Sequence, residues 1–175
     1  GHEASIEELL KKTDIAMYQA KQAGRNTLRF FDPIMQNALQ ERTALENQLR
    51  QALEAQQFQL YYQMQVNSAH QVIGAETLIR WIHPELGFVS PAQFIPLAEE
   101  TDLILPIALW VLETACAQIK LWEQDVTTRD LVLAVNVSPK QFRQAHFVSQ
   151  VQTCLQHYGI DPTRLKLELT EGMLV

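Results

Sequence analysis

The sequence predicts an α/β fold built on a largely parallel sheet, with an antiparallel pair at its start. Three observations carry this. Strand-like and helix-like segments alternate through residues 58–169 in the order strand, strand, helix, helix, strand, helix, strand, and such alternation belongs to parallel α/β architecture. The run Leu131 to Val137 is apolar on both faces, apart from Asn136, as in a parallel strand covered on both sides. Two strand-like runs, 58–66 and 72–82, are joined by only the five residues 67–71. So short a connection makes a hairpin and therefore an antiparallel pair.

In chain order, residues 6–24 are expected to be helical, with Gly24 as C-cap. Residues 27–31 read as a short strand broken by Asp32-Pro33. Residues 35–56 read as a long polar helix with one apolar stripe, Leu45, Leu49, Ala52 and Leu53, linking a front segment to the main domain. Ser90-Pro91 starts a helix, with Ser as N-cap and Pro at the first helical position. A second helix is expected over 104–124, and a third over 147–158 with Gly159 at its end. Asp161-Pro162 turns the chain into a last strand, 165–169.

Composition narrows the classes of function. With 175 residues, the chain suffices for one domain and an appendage. A formal net charge of −6 argues against binding a nucleic-acid polymer, which calls for a basic footprint. An anionic substrate has to be drawn in locally, by metal ions or a placed arginine. Cys116 and Cys154 fall in helical patterns without metal-ligand spacing and read as buried small hydrophobes in a reducing cytosol. The apolar run Leu103 to Leu112, interrupted by Pro106, is too short to span a bilayer, so no membrane contact is expected from this segment. The Gly1-His2 start suggests that the natural protein extends upstream.

Strand periodicity then groups the polar residues. Glu76, Leu78 and Arg80 share one face of their strand, Val132, Ala134 and Asn136 one face of theirs, and Lys166, Glu168 and Thr170 one face of the last. Asn136 and Glu168 lie toward the C-terminal ends of their strands, the end at which parallel barrels build their sites. Carboxylate and amide oxygens at one level are ligands for a hard divalent cation. Each residue also has a plainer reading: a solvated glutamate, a turn asparagine, an ordinary half-exposed strand.

The motifs, taken together, carry a resemblance. The stretches are Phe58-Gln-Leu-Tyr-Tyr-Gln63, Gly74-Ala-Glu-Thr-Leu-Ile-Arg-Trp-Ile-His-Pro84, Leu86-Gly-Phe-Val-Ser-Pro91 with Phe94-Ile-Pro-Leu-Ala-Glu-Glu100, Trp110-Val-Leu112, Ala134-Val-Asn-Val-Ser138 with Gln141-Phe142, and Leu167-Glu-Leu-Thr-Glu171. From about residue 45 onward the chain resembles the N-terminal half of an EAL-type cyclic di-GMP phosphodiesterase domain. Thr13-Asp-Ile-Ala-Met-Tyr-Gln-Ala-Lys21 with Ala23-Gly-Arg-Asn26 resembles the tail of a GGDEF-type diguanylate cyclase domain. The resemblance implies an incomplete TIM-like (β/α) barrel of about four strands with an antiparallel first strand. Residues 1–33 would be the cyclase tail, 34–56 a linker helix, and 57–175 the half-barrel.

It also implies roles. Glu76, Asn136 and Glu168 become ligands of Mg²⁺ or Mn²⁺ in a two-metal site. Glu171 becomes a catalytic-shell glutamate that positions a loop, and Gln63 and Arg80 become substrate contacts, Arg80 toward a phosphate. Lys21 and Arg25 match phosphate-reaching residues of the cyclase tail. The implied reaction is hydrolysis of cyclic di-GMP to the linear dinucleotide in the complete protein, with the 175-residue chain alone expected to be inactive. The alternative is a non-catalytic cyclic di-GMP receptor. The isolated chain, with the edge of its last strand unpaired, is expected to pair into a homodimer, and the location expected is cytoplasmic, with tethering of the complete protein through upstream segments left open. Three positions depart from the family pattern: Thr77 in the signature tripeptide, Met64 where a proline is usual, and Asp102 where a glycine is usual.

Overall fold

A computed structural model describes residues 6–22 and 33–169. The expected strand 27–31, and the positions of Gly24, Arg25 and Glu171, lie outside the described residues. The chain divides into two compact units, residues 1–48 and 49–175.

The first unit holds α1 (Ile6–Gln22) and most of α2 (Pro33–Ala52). Ile15 of α1 is buried. The second unit takes in the last residues of α2, where Leu49 and Ala52 are fully buried. The expected continuation of this helix to residue 56 does not occur. After Ala52 the chain turns, Gln56 adopts a φ of 53°, and the Gln57 amide donates to the Ala52 carbonyl at 3.0 Å. Helical spacing extends across this turn in the sequence, but the chain has to reverse to enter the sheet.

The sheet is mixed and open. β1 (Phe58–Val66) and β2 (Val72–His83) form the expected antiparallel hairpin, with Gln63 opposite Glu76. Asn67 shapes its turn by accepting the Ala69 and Gln71 amides on its side-chain oxygen, at 2.9 and 3.0 Å. β4 (Val132–Val137) and β5 (Leu165–Leu169) add on in parallel, giving the order β1-β2-β4-β5. The three-residue strand β3 (Gly87–Val89) pairs antiparallel with the end of β2 and was not foreseen. It exists because His83 folds the chain back: its Nδ1 accepts the Glu85 and Leu86 amides, both at 3.1 Å.

Helix α3 (Pro91–Glu100) begins at Ser90-Pro91 as the sequence indicates, and Gln93 Oε1 accepts the Ser90 amide at 3.3 Å. α4 (Ile104–Trp122) follows, then the short α5 (Pro139–Phe142), α6 (Phe147–Tyr158) and a 3₁₀ turn at Pro162–Arg164. α6 ends on Gly159, whose φ of 59° is the left-handed conformation that glycine adopts without strain. By length and hydropathy alone α4 could cross a bilayer. Here it is a core helix: Leu112, Ala115, Cys116 and Ile119 pack with Ala75, Leu133 and Val135 of the sheet and Cys154 of α6.

Aromatic packing closes the other end of this core. The Phe58 ring lies 6.1, 5.9 and 5.8 Å from those of Trp81, Phe94 and Trp110. Trp81 and Phe94 are fully buried, and the Trp81 indole donates to Gln57 Oε1 at 2.9 Å. A buried aromatic with its polar edge satisfied contributes both area and orientation.

Candidate active site

The site is built around a short parallel seam in the sheet. β2 and β4 pair over only three positions, Gly74 with Val132, Ala75 with Leu133, and Glu76 with Ala134. Gly74 makes the approach possible, because a Cβ there would sit 2.3 Å from the Val132 carbonyl oxygen. Beyond Glu76 the strands part. Thr77 bridges the start of the gap: its buried hydroxyl donates to the Ala134 carbonyl at 2.8 Å. Thr77 therefore faces away from Glu76 and into the packed side of the sheet, as strand alternation requires.

On the open side, side chains gather in a row across four strands. Gln63 on β1 lies opposite Glu76 on β2. Asn136 on β4 donates its amide N–H to Glu76 Oε1 at 2.7 Å. Glu168 on β5 is the register partner of Asn136, and its carboxylate pairs with Lys166 Nζ at 2.6 Å. Glu76 and Glu168 are half-buried and Asn136 is exposed. Arg80 stands two same-face positions beyond Glu76 along β2, also half-buried, its Nη1 donating to the Ile79 carbonyl at 3.0 Å. Among the described residues no three His, Cys, Asp or Glu side chains gather at one point. The row supplies two carboxylates and one amide oxygen, all hard donors of the kind Mg²⁺ or Mn²⁺ accepts.

Where β2 and β4 diverge, a cleft of about 470 Å³ opens. Its walls are mostly apolar, with Leu78, Ile95, Ile104 and Val111, and Arg80, Asn136 and Glu99 line it too. Periodicity in the sequence did not reveal this cleft, since its lining comes from α3 and α4 as well as the two strands. Nor did it reveal the surroundings of Arg80, whose guanidinium carbon lies 5.4 Å from the centre of the Tyr61 ring and 6.0 Å from that of Phe88.

Two departures from the family pattern have a structural account. Asp102 has a φ of 62°, the region where glycine is at ease, and its carboxylate pairs with Lys140 Nζ at 2.5 Å. Met64 is an exposed residue within the regular β1–β2 register, opposite Ala75, and the local irregularity falls later, at Gln65 and Val66.

The titratable groups with clear shifts lie away from this row. Burial, then the nearby Cys154 and Glu113, push the Cys116 thiol up to about 12. Hydrogen bonds from the Thr127 and Thr163 amides and hydroxyls hold Asp125 and Asp161 below the usual carboxylate range.

The architecture is part of a TIM-like fold, and comparison with known proteins assigns it. Residues 46–175 match the EAL domain family, and the chain belongs to that family. It is 45% identical over 166 residues to the bifunctional diguanylate cyclase/cyclic di-GMP phosphodiesterase MucR of Pseudomonas aeruginosa, covering 94% of this chain and 24% of that protein. It is 32% identical to the cyclic di-GMP phosphodiesterase PdeR of Escherichia coli, covering 99% of this chain and 26% of that one. The chain thus spans about a quarter of the length of these relatives. Among solved structures, the MucR phosphodiesterase in complex with c-di-GMP superposes with a TM-score of 0.70 at 45% identity, over 73% of this chain and 52% of that one. The Xanthomonas citri FimX EAL domain with c-di-GMP gives 0.66 at 28% identity, over 77% and 52%.

Proposed function

We propose that the complete protein hydrolyses cyclic di-GMP to the linear dinucleotide and that this chain carries one side of the metal-dependent site. The observation that carries this reading is the contact between Glu76 and Asn136 across the β2–β4 seam, with Glu168 in register beside it. Glu76, Asn136 and Glu168 are the residues we assign to the metal. A divalent cation held there would supply an activated water and would neutralise charge developing on the phosphodiester.

The chain's own groups bind and orient. Arg80 offers a guanidinium to a non-bridging phosphate oxygen. Gln63, opposite Glu76, is placed to hydrogen-bond the substrate. The cleft between β2 and β4, mostly apolar with a few polar groups on its wall, suits a nucleobase, which gains from leaving water there and offers hydrogen-bonding edges to those groups. Glu171 we assign to the positioning of a neighbouring loop.

Residues ahead of the family match are best read as the tail of a diguanylate cyclase domain, with Lys21 and Arg25 matching its phosphate-reaching residues. The similarity to MucR supports this, because it takes in more of the chain than residues 46–175, and MucR is named for both activities. On this reading, residues 1–33 belong to that tail, 34–56 form the linker, and 57–175 belong to the phosphodiesterase domain. Two buried, unpaired cysteines suit the reducing cytoplasm, where we place the protein.

The test is turnover of cyclic di-GMP by the full-length protein with Mn²⁺, alongside binding in EDTA. Hydrolysis abolished by Glu76→Ala supports the assignment. Tight binding with no hydrolysis under either condition transfers the protein to the receptor class. Absence of binding refutes both.

A further inference from the structure

We propose that Tyr61 and Phe88 are positioning residues that hold the Arg80 guanidinium between them, ready for a phosphodiester. The inference deepens the reading of Arg80 given above and rests on it.

Topology places the two rings on either side. At the level of Trp81, β2 is paired along both edges, with Phe58 of β1 on one and Val89 of β3 on the other. Arg80 lies directly opposite Gln59 of β1, and Tyr61 is its diagonal neighbour, opposite Leu78. On the other edge Phe88 lies opposite Ile82, again diagonal to Arg80. Diagonal neighbours on one face are within reach of long and aromatic side chains. The guanidinium carbon is accordingly 5.4 Å from one ring centre and 6.0 Å from the other, the range of a cation–π contact.

The rings have little to do in the core. Tyr61 is 53% exposed and Phe88 58%, whereas Phe58, on the same hairpin but the opposite face, is 5% exposed. Large aromatic groups left in solvent on the face that bears Glu76 call for another role. A guanidinium stacks through its faces and hydrogen-bonds through its edges, so rings can restrain it while its N–H groups still meet a phosphate bidentately. A side chain with that many rotamers otherwise loses freedom when the ligand arrives, and restraint beforehand lowers that cost. The short strand β3 acquires a purpose on this view: it delivers Phe88 to the open edge of β2.

The experiment is a mutant cycle on the full-length protein. Cyclic di-GMP binding is measured calorimetrically in EDTA for wild type, Tyr61→Leu/Phe88→Leu, Arg80→Ala, and the three changes combined. Removing the rings restores the ordering cost of one rotamer-rich side chain, so the aromatic double variant should bind roughly two- to thirteenfold more weakly. Tyr61→Phe, which keeps the ring, should bind like wild type. In the Arg80→Ala background the aromatic changes should cost nothing further. An undiminished loss in that background overturns the proposal, since the rings then touch the ligand or support the fold directly. A second readout is independent of the ligand. The Arg80 Nε–Hε group in the free protein should give an ordered, ring-shifted NMR signal that the aromatic double variant loses. If wild type fails to bind cyclic di-GMP, the functional reading falls, and this signal alone decides: its loss upholds the restraint of Arg80 by the rings, and its persistence refutes it.

Discussion

The two faces of the central strands follow different rules, though they share one backbone. On the packed face, Ala75, Thr77 and Trp81 of β2 and Leu133, Val135 and Val137 of β4 are all buried. On the open face of the same strands, Gly74 and Ala134 are buried where the strands pair, whereas Glu76, Leu78 and Arg80 are half-buried and Asn136 is exposed. Alternation at a period of two lets one strand hold a core with one set of residues and present chemistry with the other. The lesson is separability. Substitutions on the packed face should act on stability, and those on the open face on binding and turnover with the fold retained.

The largest test of that division is Glu76→Ala in the full-length protein. If Glu76 holds the metal as proposed, its loss should lower hydrolysis by more than about a hundredfold, the upper end for groups that only orient such ligands. Its thermal midpoint should stay close to wild type, because a half-buried carboxylate at the seam adds little to packing. Near-native hydrolysis would remove Glu76 from the site; a collapsed melt would break the separation of the faces.

Leu133→Ala probes the other face. The side chain is fully buried among α4, α6 and β5, and such truncations cost about 2–5 kcal/mol. Urea denaturation reads the loss directly. Little change in midpoint would mean that the packed face is far more tolerant than its burial implies.

Thr77→Val sharpens the boundary between the faces. The substitution keeps the shape and removes the donor to the Ala134 carbonyl, which should cost about 1 kcal/mol in the same denaturation. Thr77→Ser should restore part of it. A neutral Thr77→Val would show that the seam is held by Gly74 and the ladder alone.

The smallest expected effect is chemical. With its thiol pushed up to about 12 by burial, Cys116 should stay protonated and resist alkylation at pH 8 in the native state, then react once denatured. Rapid native labelling, followed by mass spectrometry, would show that the packed face opens. Association of the 175-residue chain by itself is tested separately by light scattering at micromolar concentration. The exposed Leu167 and Leu169 on β5, at the end of the described sheet, favour a dimer, and a monodisperse monomer would count against one.

Strong local signals were legible because local physics decides them. The hairpin, the Ser90-Pro91 helix start and the Gly159 cap each depend on a few adjacent residues. β3 is not legible in the sequence because three residues carry no period, and it is created by the turn that His83 organises and by an edge of β2 left unpaired. α2 read too long because helical spacing persists past the point where the chain must turn into the sheet. Glu76, Asn136 and Glu168 could be nominated from alternation and strand position, but the neighbours that matter to Arg80 could not. Phe88 reaches it only through the unforeseen strand.

What the sequence by itself determined is which residues share a face, because side-chain direction along a strand follows from backbone covalent geometry and needs no partner. What only the tertiary structure decided is which faces meet. The Glu76–Asn136 contact joins residues 60 apart in sequence, and it depends on strand order, on a register fixed by burial, and on Gly74 letting two backbones close to a distance no side chain would permit. Those are properties of pairing between distant segments, and no local pattern encodes them.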